Sequence, residues 1–331
     1  MIKRRMLELN EEQNVRQQEV SKSYSSGSLY SIKSIRFALG VSILYLIISF
    51  LLVGFKMDQL MLVIIFNSLF FLHQNTRRFI TGFSIFIIYW IVFDYMKAFP
   101  NYHYNHIHIG SLYNLEKQVF GIATGNSVIT VNEYFRVHQN KLLDVLSGIF
   151  YLCWVPVPLI FATILFFRNR LLYFQFALCF FLVNLIGFCG YYIYPAAPPW
   201  YVQLHGFNFI PNTPGNTAGL GRFDQLLGVG IFHGLYSKSS NVFAAMPSLH
   251  ASYLLIVLYY GMKADMRWYN LLFAVIMLGI WFAAVYSSHH YLLDIVAGIF
   301  CAIIGIFLFE FFIRHTTMGK SFLNNLVKAT N

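Results

Sequence analysis

Long apolar runs separated by short polar links dominate the chain. A helix needs about 20 consecutive apolar residues to cross a bilayer. By that measure Phe37–Phe55, Phe79–Met96, Leu143–Phe167, Leu171–Tyr194, Phe243–Met262, Tyr269–Tyr286 and Tyr291–Ile313 are predicted spans. Met57–Leu72 is a shorter eighth candidate, interrupted by Asn67. Two long polar segments, Lys97–Lys141 and Pro195–Asn241, break the rhythm. The second holds Pro195, Pro198, Pro199, Pro211 and Pro214, which are expected to break any helix there. The pattern predicts an all-α, polytopic membrane protein with about eight transmembrane helices.

Composition excludes the soluble alternative. Of 331 residues, 58% are hydrophobic and 11% charged, with a mean hydropathy of +0.59. A soluble domain carries about a quarter charged residues, so this chain cannot clothe a water-facing surface. The balance of 23 Lys+Arg against 13 Asp+Glu gives +10. In a membrane protein that excess is read first as a topology marker, and no nucleic acid partner is expected. Lys3, Arg4, Arg5, Lys33 and Arg36 precede the first span; Arg77 and Arg78, then Arg168 and Arg170, then Lys263 and Arg267 fall in later links; Arg314 and Lys320 follow the last. With eight spans every cluster lies on one side, whereas seven would set the first against the rest.

Residues 1–36 are therefore expected to form a polar cytoplasmic tail, with a serine-rich stretch Ser21–Ser28 and no cleavable signal peptide. Residues 37–97 would hold three N-terminal transmembrane helices, and 314–331 a cytoplasmic C-terminal tail. Both long polar segments would share the external side. Cys153, Cys179, Cys189 and Cys301 lie in apolar runs without a CxxC pair and read as buried packing residues. Neither external segment contains an Asn-x-Ser/Thr sequon, which suits a bacterial inner membrane better than a eukaryotic Golgi membrane.

The candidate chemistry gathers at the external ends of two spans. His250 follows Met246-Pro247-Ser248-Leu249, and His290 closes Ser287-Ser288-His289-His290 with Asp294 four residues on. Residues i and i+4 share a helix face, so the Asp294 carboxylate can reach the His290 ring and fix its tautomer. A charge inside a span costs about 2.5–3.5 kcal/mol at its centre, so Asp294 needs a partner or a wet cavity. The same spacing suits a His–Asp pair that serves helix packing, with His250 as an interfacial histidine. Two histidines and a carboxylate on one membrane face favour a site.

These residues carry a resemblance. PSLH at Pro247–His250 and HYLLD at His290–Asp294 resemble the second and third motifs, PSGH and SRxxxxxHxxxD, of the type 2 phosphatidic acid phosphatase superfamily. Tyr194-Pro195-Ala196-Ala197-Pro198-Pro199-Trp200-Tyr201, Pro214-Gly215, the run Ala218–Asp224 and Phe243-Ala244-Ala245-Met246 are similar to its inositol phosphorylceramide synthase branch, the aureobasidin target. The similarity runs from about Leu115 to Ile313. It implies a six-helix phosphatidic acid phosphatase-like core, a catalytic region at 98–313 with two external loops, and an active site on the non-cytoplasmic face. There is no Lys-x6-Arg-Pro first motif, and Ala284 stands six residues before His290, at the position of the superfamily arginine. That loss is typical of lipid transferases and weakens a phosphatase reading.

The resemblance implies a double displacement at phosphorus, with phosphatidylinositol and ceramide as lipid substrates and diacylglycerol as a product. His290 would be the nucleophile, Asp294 its partner, and His250 the acid and then the base. Donors near Ser248, with Arg222 as a substitute cation, would hold the phosphoryl oxygens. Asp144 and Asp94 are candidates for the inositol headgroup, Asp144 the better because Lys141–Asp144 also looks family-like. No cofactor and no metal is expected: Walker, DxD and HExxH patterns are absent, and His103, His106 and His108 read as a polar loop without accompanying carboxylates. The sequence identifies no protein partner. Competing readings are a transferase of another phospho-headgroup, a lipid phosphate phosphatase, and a transporter with a His/Asp proton relay. The last fits poorly, because the ionisable residues gather at one face.

Overall fold

The computed structural model describes residues 29–237 and 241–330. Most of the expected N-terminal tail, residues 1–28, lies outside the described residues. The chain divides into two compact units at Thr81/Gly82. In the first, α1 (Ile32–Val53) and α2 (Met57–Leu72) pack against each other, and α3 (Gln74–Tyr95) begins. Ser31 caps α1 by accepting the Ser34 N–H. Asn67, the polar break in the shortest predicted span, donates to Ser42 Oγ at 2.8 Å across the α1–α2 contact and to Val63 O. Its amide is thus satisfied where lipid offers no partner.

The second unit begins within α3 and holds the remaining elements. The first polar segment is built structure rather than a loop: α4 (Gly110–Phe120), a small hairpin of β1 (Ile122–Thr124) and β2 (Ser127–Ile129), and α5 (Val131–Val137). Thr130 and Glu133 close a capping box at the start of α5. Then come α6 (Lys141–Leu152), α7 (Pro156–Arg168) and α8 (Arg170–Ile193). The second polar segment contains α9 (Pro199–His205), α10 (Gly221–Leu227) and α11 (Ile231–Tyr236). Its prolines were expected to exclude helix, yet Pro199 opens α9, where a missing N–H breaks no hydrogen bond. The core closes with α12 (Leu249–Lys263), α13 (Trp268–Tyr286) and α14 (Leu292–His315), followed by α15 (Thr317–Thr330), which packs on α8 and α14.

Two predicted spans differ in detail. Leu143–Phe167 is broken at Cys153–Val155, between α6 and α7, because Pro156 and Pro158 supply no N–H to continue the helix. The span expected from Phe243 starts at Leu249. The backbone before it pairs sideways instead, with Ala196 N donating to Phe243 O and Ala245 N to Ala196 O. Among the described residues six helical segments are long and apolar enough to cross a membrane; α2 and α12 are shorter. The outward faces of the helices are apolar, with Trp268, Leu271, Phe300 and Phe307 exposed. This is an integral, multi-pass, all-α membrane protein. Of the four cysteines, all free, Cys179 and Cys301 are buried, Cys153 is partly buried and Cys189 exposed, so only two match the expected packing role.

Candidate active site

The site is organised around the start of α14. A helix leaves its first N–H groups without partners, and here buried carboxylates accept them. Glu116 of α4, fully buried, takes the Leu292 and Leu293 N–H groups at 3.0 and 3.1 Å. Asp294 Oδ2 takes the Tyr291 N–H at 2.8 Å. Burial raises the Glu116 pKa, the two backbone donors oppose this, and the Asp294 charge adds to the rise.

The loop before α14 is held from every side. Asn132 of α5, also fully buried, donates to Val285 O and His290 O at 2.8 and 2.9 Å. Gly219 N reaches Ser287 O at 2.9 Å, and Trp200 N reaches Ser288 O at 3.0 Å. Gln203 donates to Ser288 Oγ. These contacts hold Ser288 at φ +61°, a left-handed conformation that costs a non-glycine residue energy. Gly219 must be glycine here: a Cβ would stand 2.7 Å from Ser287 Cα and 3.0 Å from the Arg222 guanidinium.

The three expected catalytic residues meet. His290 Nδ1 lies 3.4 Å from Asp294 Oδ2, and His290 Nε2 lies 3.2 Å from His250 Nδ1. The His290–Asp294 contact is long, and neither Nδ1 nor Asp294 Oδ1 makes a formed hydrogen bond among the described residues. The two motifs are also joined through the backbone, Ser248 N donating to Asp294 O at 2.9 Å. Gly298 permits that approach, since a Cβ there would fall 2.1 Å from Ser248 O. Ser252 Oγ adds a bond to Gly298 O at 2.7 Å. Trp154, placed by the break between α6 and α7, meets the His250 ring in a T-shaped contact with centroids 4.6 Å apart.

A cavity of 140 Å³ opens on His250, His289 and His290, with Tyr151, Tyr236, Trp200, Asn216 and Asn241 among its walls. His289 stacks on Tyr236 with ring centroids 4.4 Å apart, and its Nε2 lies 2.9 Å from Thr217 O. Burial drives the His289 pKa down to about 3, so its ring stays neutral. A carbonyl only accepts, so Nε2 carries the proton.

The expected substrate-binding residues stand apart from this cavity. Ser248 is fully buried, its Oγ without a partner. Arg222 and Asp144 pair with each other, Nε to Oδ1 at 2.6 Å, with Tyr286 OH also on Asp144 at 2.9 Å, and Arg222 Nη2 is buried without a partner among the described residues. None of the three lines the cavity wall. Asp94 pairs with Lys97 at 2.6 Å. His108 stacks on Tyr194 and bonds Ser111, and among the described residues no group of His, Cys, Asp or Glu side chains is arranged to hold a metal ion.

Sequence reasoning missed Glu116, Asn132, His289 and Asn241. His289 was visible beside His290, and Asn132 lies inside the Thr130–Glu133 capping box. Glu116 had no local signal, because its partners lie 176 and 177 positions away.

Comparisons with known proteins agree on a family. The model of the PAP2 superfamily matches residues 125–308. A phosphoinositol dihydroceramide synthase of Bacteroides thetaiotaomicron is 48% identical over 270 residues, covering 81% of this chain and 88% of the relative. An inositol phosphorylceramide synthase of Candida albicans is 31% identical over 185 residues, 52% of this chain and 38% of that protein. The catalytic subunit of the Saccharomyces cerevisiae inositol phosphorylceramide synthase is 33% identical over 117 residues, 35% of this chain and 29% of its own length. No solved structure matches the chain.

Proposed function

The chain belongs to the PAP2 superfamily, and we propose that it works there as an inositol phosphorylceramide synthase. It moves phosphoinositol from phosphatidylinositol to the hydroxyl of a ceramide, dihydroceramide included, and releases diacylglycerol. The observation that carries this reading is the facing pair of His250 and His290 in one cavity, with Asp294 behind His290.

Asp294 lies beside Nδ1 of His290, so Nε2 is the nitrogen left to attack phosphorus. A bond forms from Nε2 to phosphorus as the bond from phosphorus to the diacylglycerol oxygen breaks, and His250 gives that oxygen its proton. Asp294 stabilises the positive charge gathering on the imidazole. In the second half the ceramide hydroxyl attacks phosphorus, its proton passes to His250, and the nitrogen–phosphorus bond breaks. A reacting phosphorus sits about 3–3.5 Å from its nucleophile. His250 Nδ1 occupies that distance from Nε2, so its ring swings aside when the donor enters.

Ser248, Arg222 and Asp144 act one step back from the lipid. Ser248 ties the two motifs together, and the Arg222–Asp144 pair props Gly219 against Ser287. The basic links support eight crossings with the cavity on the non-cytoplasmic face, and the Bacteroides relative supports a bacterial inner membrane. The scheme uses no metal.

The test supplies purified protein with headgroup-labelled phosphatidylinositol, with and without ceramide. Label should appear in inositol phosphorylceramide when ceramide is present, and as an adduct stable to neutral quench when it is withheld. Release of inorganic phosphate would instead make the protein a phosphatase. Product formed without an adduct at any time would replace double displacement by direct attack of ceramide.

A further inference from the structure

Asn241 and His289 line the cavity, and between them they carry one hydrogen-bond donor and one acceptor that the catalytic scheme does not use. Asn241 Oδ1 accepts the Phe243 N–H at 3.1 Å, which settles which end of the amide is oxygen. Its Nδ2 is then a donor, and it has no partner among the described residues although it is buried. His289 is the reverse case. Its Nε2–H is spent on Thr217 O, and its ring is stacked on Tyr236. The remaining Nδ1 of the neutral ring is a bare acceptor, with no partner among the described residues.

That combination selects a chemical class. A phosphoryl oxygen only accepts, and an ammonium only donates, so either would satisfy one of the two groups and leave the other unpaired. A hydroxyl both donates and accepts. We propose that Asn241 and His289 form the subsite that recognises hydroxyl groups of the polyol on the donor lipid. They thereby set headgroup selectivity beside a catalytic pair that would accept other phosphodiesters. This deepens the phosphoinositol reading and rests on it. A buried donor or acceptor left unpaired by the wrong headgroup costs more than a hydrogen bond gains, so the subsite works mainly by rejection.

The experiment measures binding without turnover. Short-chain phosphonate analogues of phosphatidylinositol and phosphatidylethanolamine, with a P–C bond in place of the P–O bond to glycerol, cannot release diacylglycerol. They are titrated calorimetrically into the full chain in detergent micelles. Wild-type protein should bind the inositol phosphonate more tightly. His289→Phe keeps a flat ring against Tyr236 and loses the acceptor; Asn241→Asp keeps the bond to Phe243 N–H and loses the donor. Each should weaken the inositol ligand by roughly tenfold or more while changing the ethanolamine ligand little. Equal weakening of both ligands, or of neither, in the Asn241→Asp protein would overturn the subsite, whether or not His289→Phe folds. The transfer assay stands separately. A protein that shows the binding contrast but makes no inositol phosphorylceramide would overturn the function and leave the subsite, and the opposite result would do the reverse.

Discussion

The two nitrogens of His290 have different neighbours, a carboxylate at 3.4 Å and an imidazole at 3.2 Å, and the roles proposed for them rest on that asymmetry. His290→Ala should abolish transfer. Asp294→Asn removes the charge and keeps the shape, so the unfolding temperature should change little while the rate falls about 10³–10⁴-fold, as when a triad aspartate is neutralised. Near-normal turnover in either variant, measured with labelled donor lipid, would return the pair to a packing role. His289 belongs to a different class from its neighbour, because a ring held neutral by burial supplies a lone pair and no proton.

At the scale of elements, the start of α14 gathers hydrogen bonds from Glu116, Asp294, Asn132 and Ser248. Glu116→Gln puts an amide NH₂ against one of the Leu292 and Leu293 N–H groups, and an unpaired buried group costs about 1–3 kcal/mol. If that cost falls on the placement of His290, kcat should drop about tenfold, the equivalent of 1.4 kcal/mol, with KM close to wild type. A lowered unfolding temperature with kcat unchanged would make Glu116 a purely structural cap. Gly298→Ala tests the neighbouring contact. Its new Cβ meets the backbone oxygen of Ser248, which cannot rotate away as a side chain would, so α12 and α14 must separate. Overpacking of this kind costs about 1–3 kcal/mol. The expected result is lower thermal stability together with reduced transfer, read by thermal unfolding and by the lipid assay.

At the scale of the molecule, the bilayer sets the arrangement. Apolar outer helix faces are stable only in lipid, and the proposed topology keeps the basic links on the cytoplasmic side. Cysteines introduced at Asn169 and at Asn216, in a background without native cysteines, should therefore react with an impermeant maleimide from opposite faces of the membrane. Labelling from the same face would overturn the eight-crossing topology and the non-cytoplasmic cavity together.

The helical, membrane-embedded class was legible from apolar runs alone, because a backbone in hydrocarbon must satisfy its own hydrogen bonds and a helix does so locally. That His250, His290 and Asp294 belong together was legible too: His290 and Asp294 are one helical turn apart, and His250 closes a recognisable tetrapeptide. What lay beyond the sequence was every partnership made across it. Asp144 and Arg222, 78 positions apart, gave no sign in the sequence that the fold brings them within 2.6 Å of each other. Glu116 has no partner nearby in the sequence; α4 sets it against the start of α14. Asn241 carried no signal until its oxygen was fixed by Phe243 N–H and its nitrogen left at a cavity wall. Local pattern determines which segments are helices and which residues share a turn. Which polar groups are already satisfied, and so which remain for a substrate, depends on neighbours that only tertiary packing supplies.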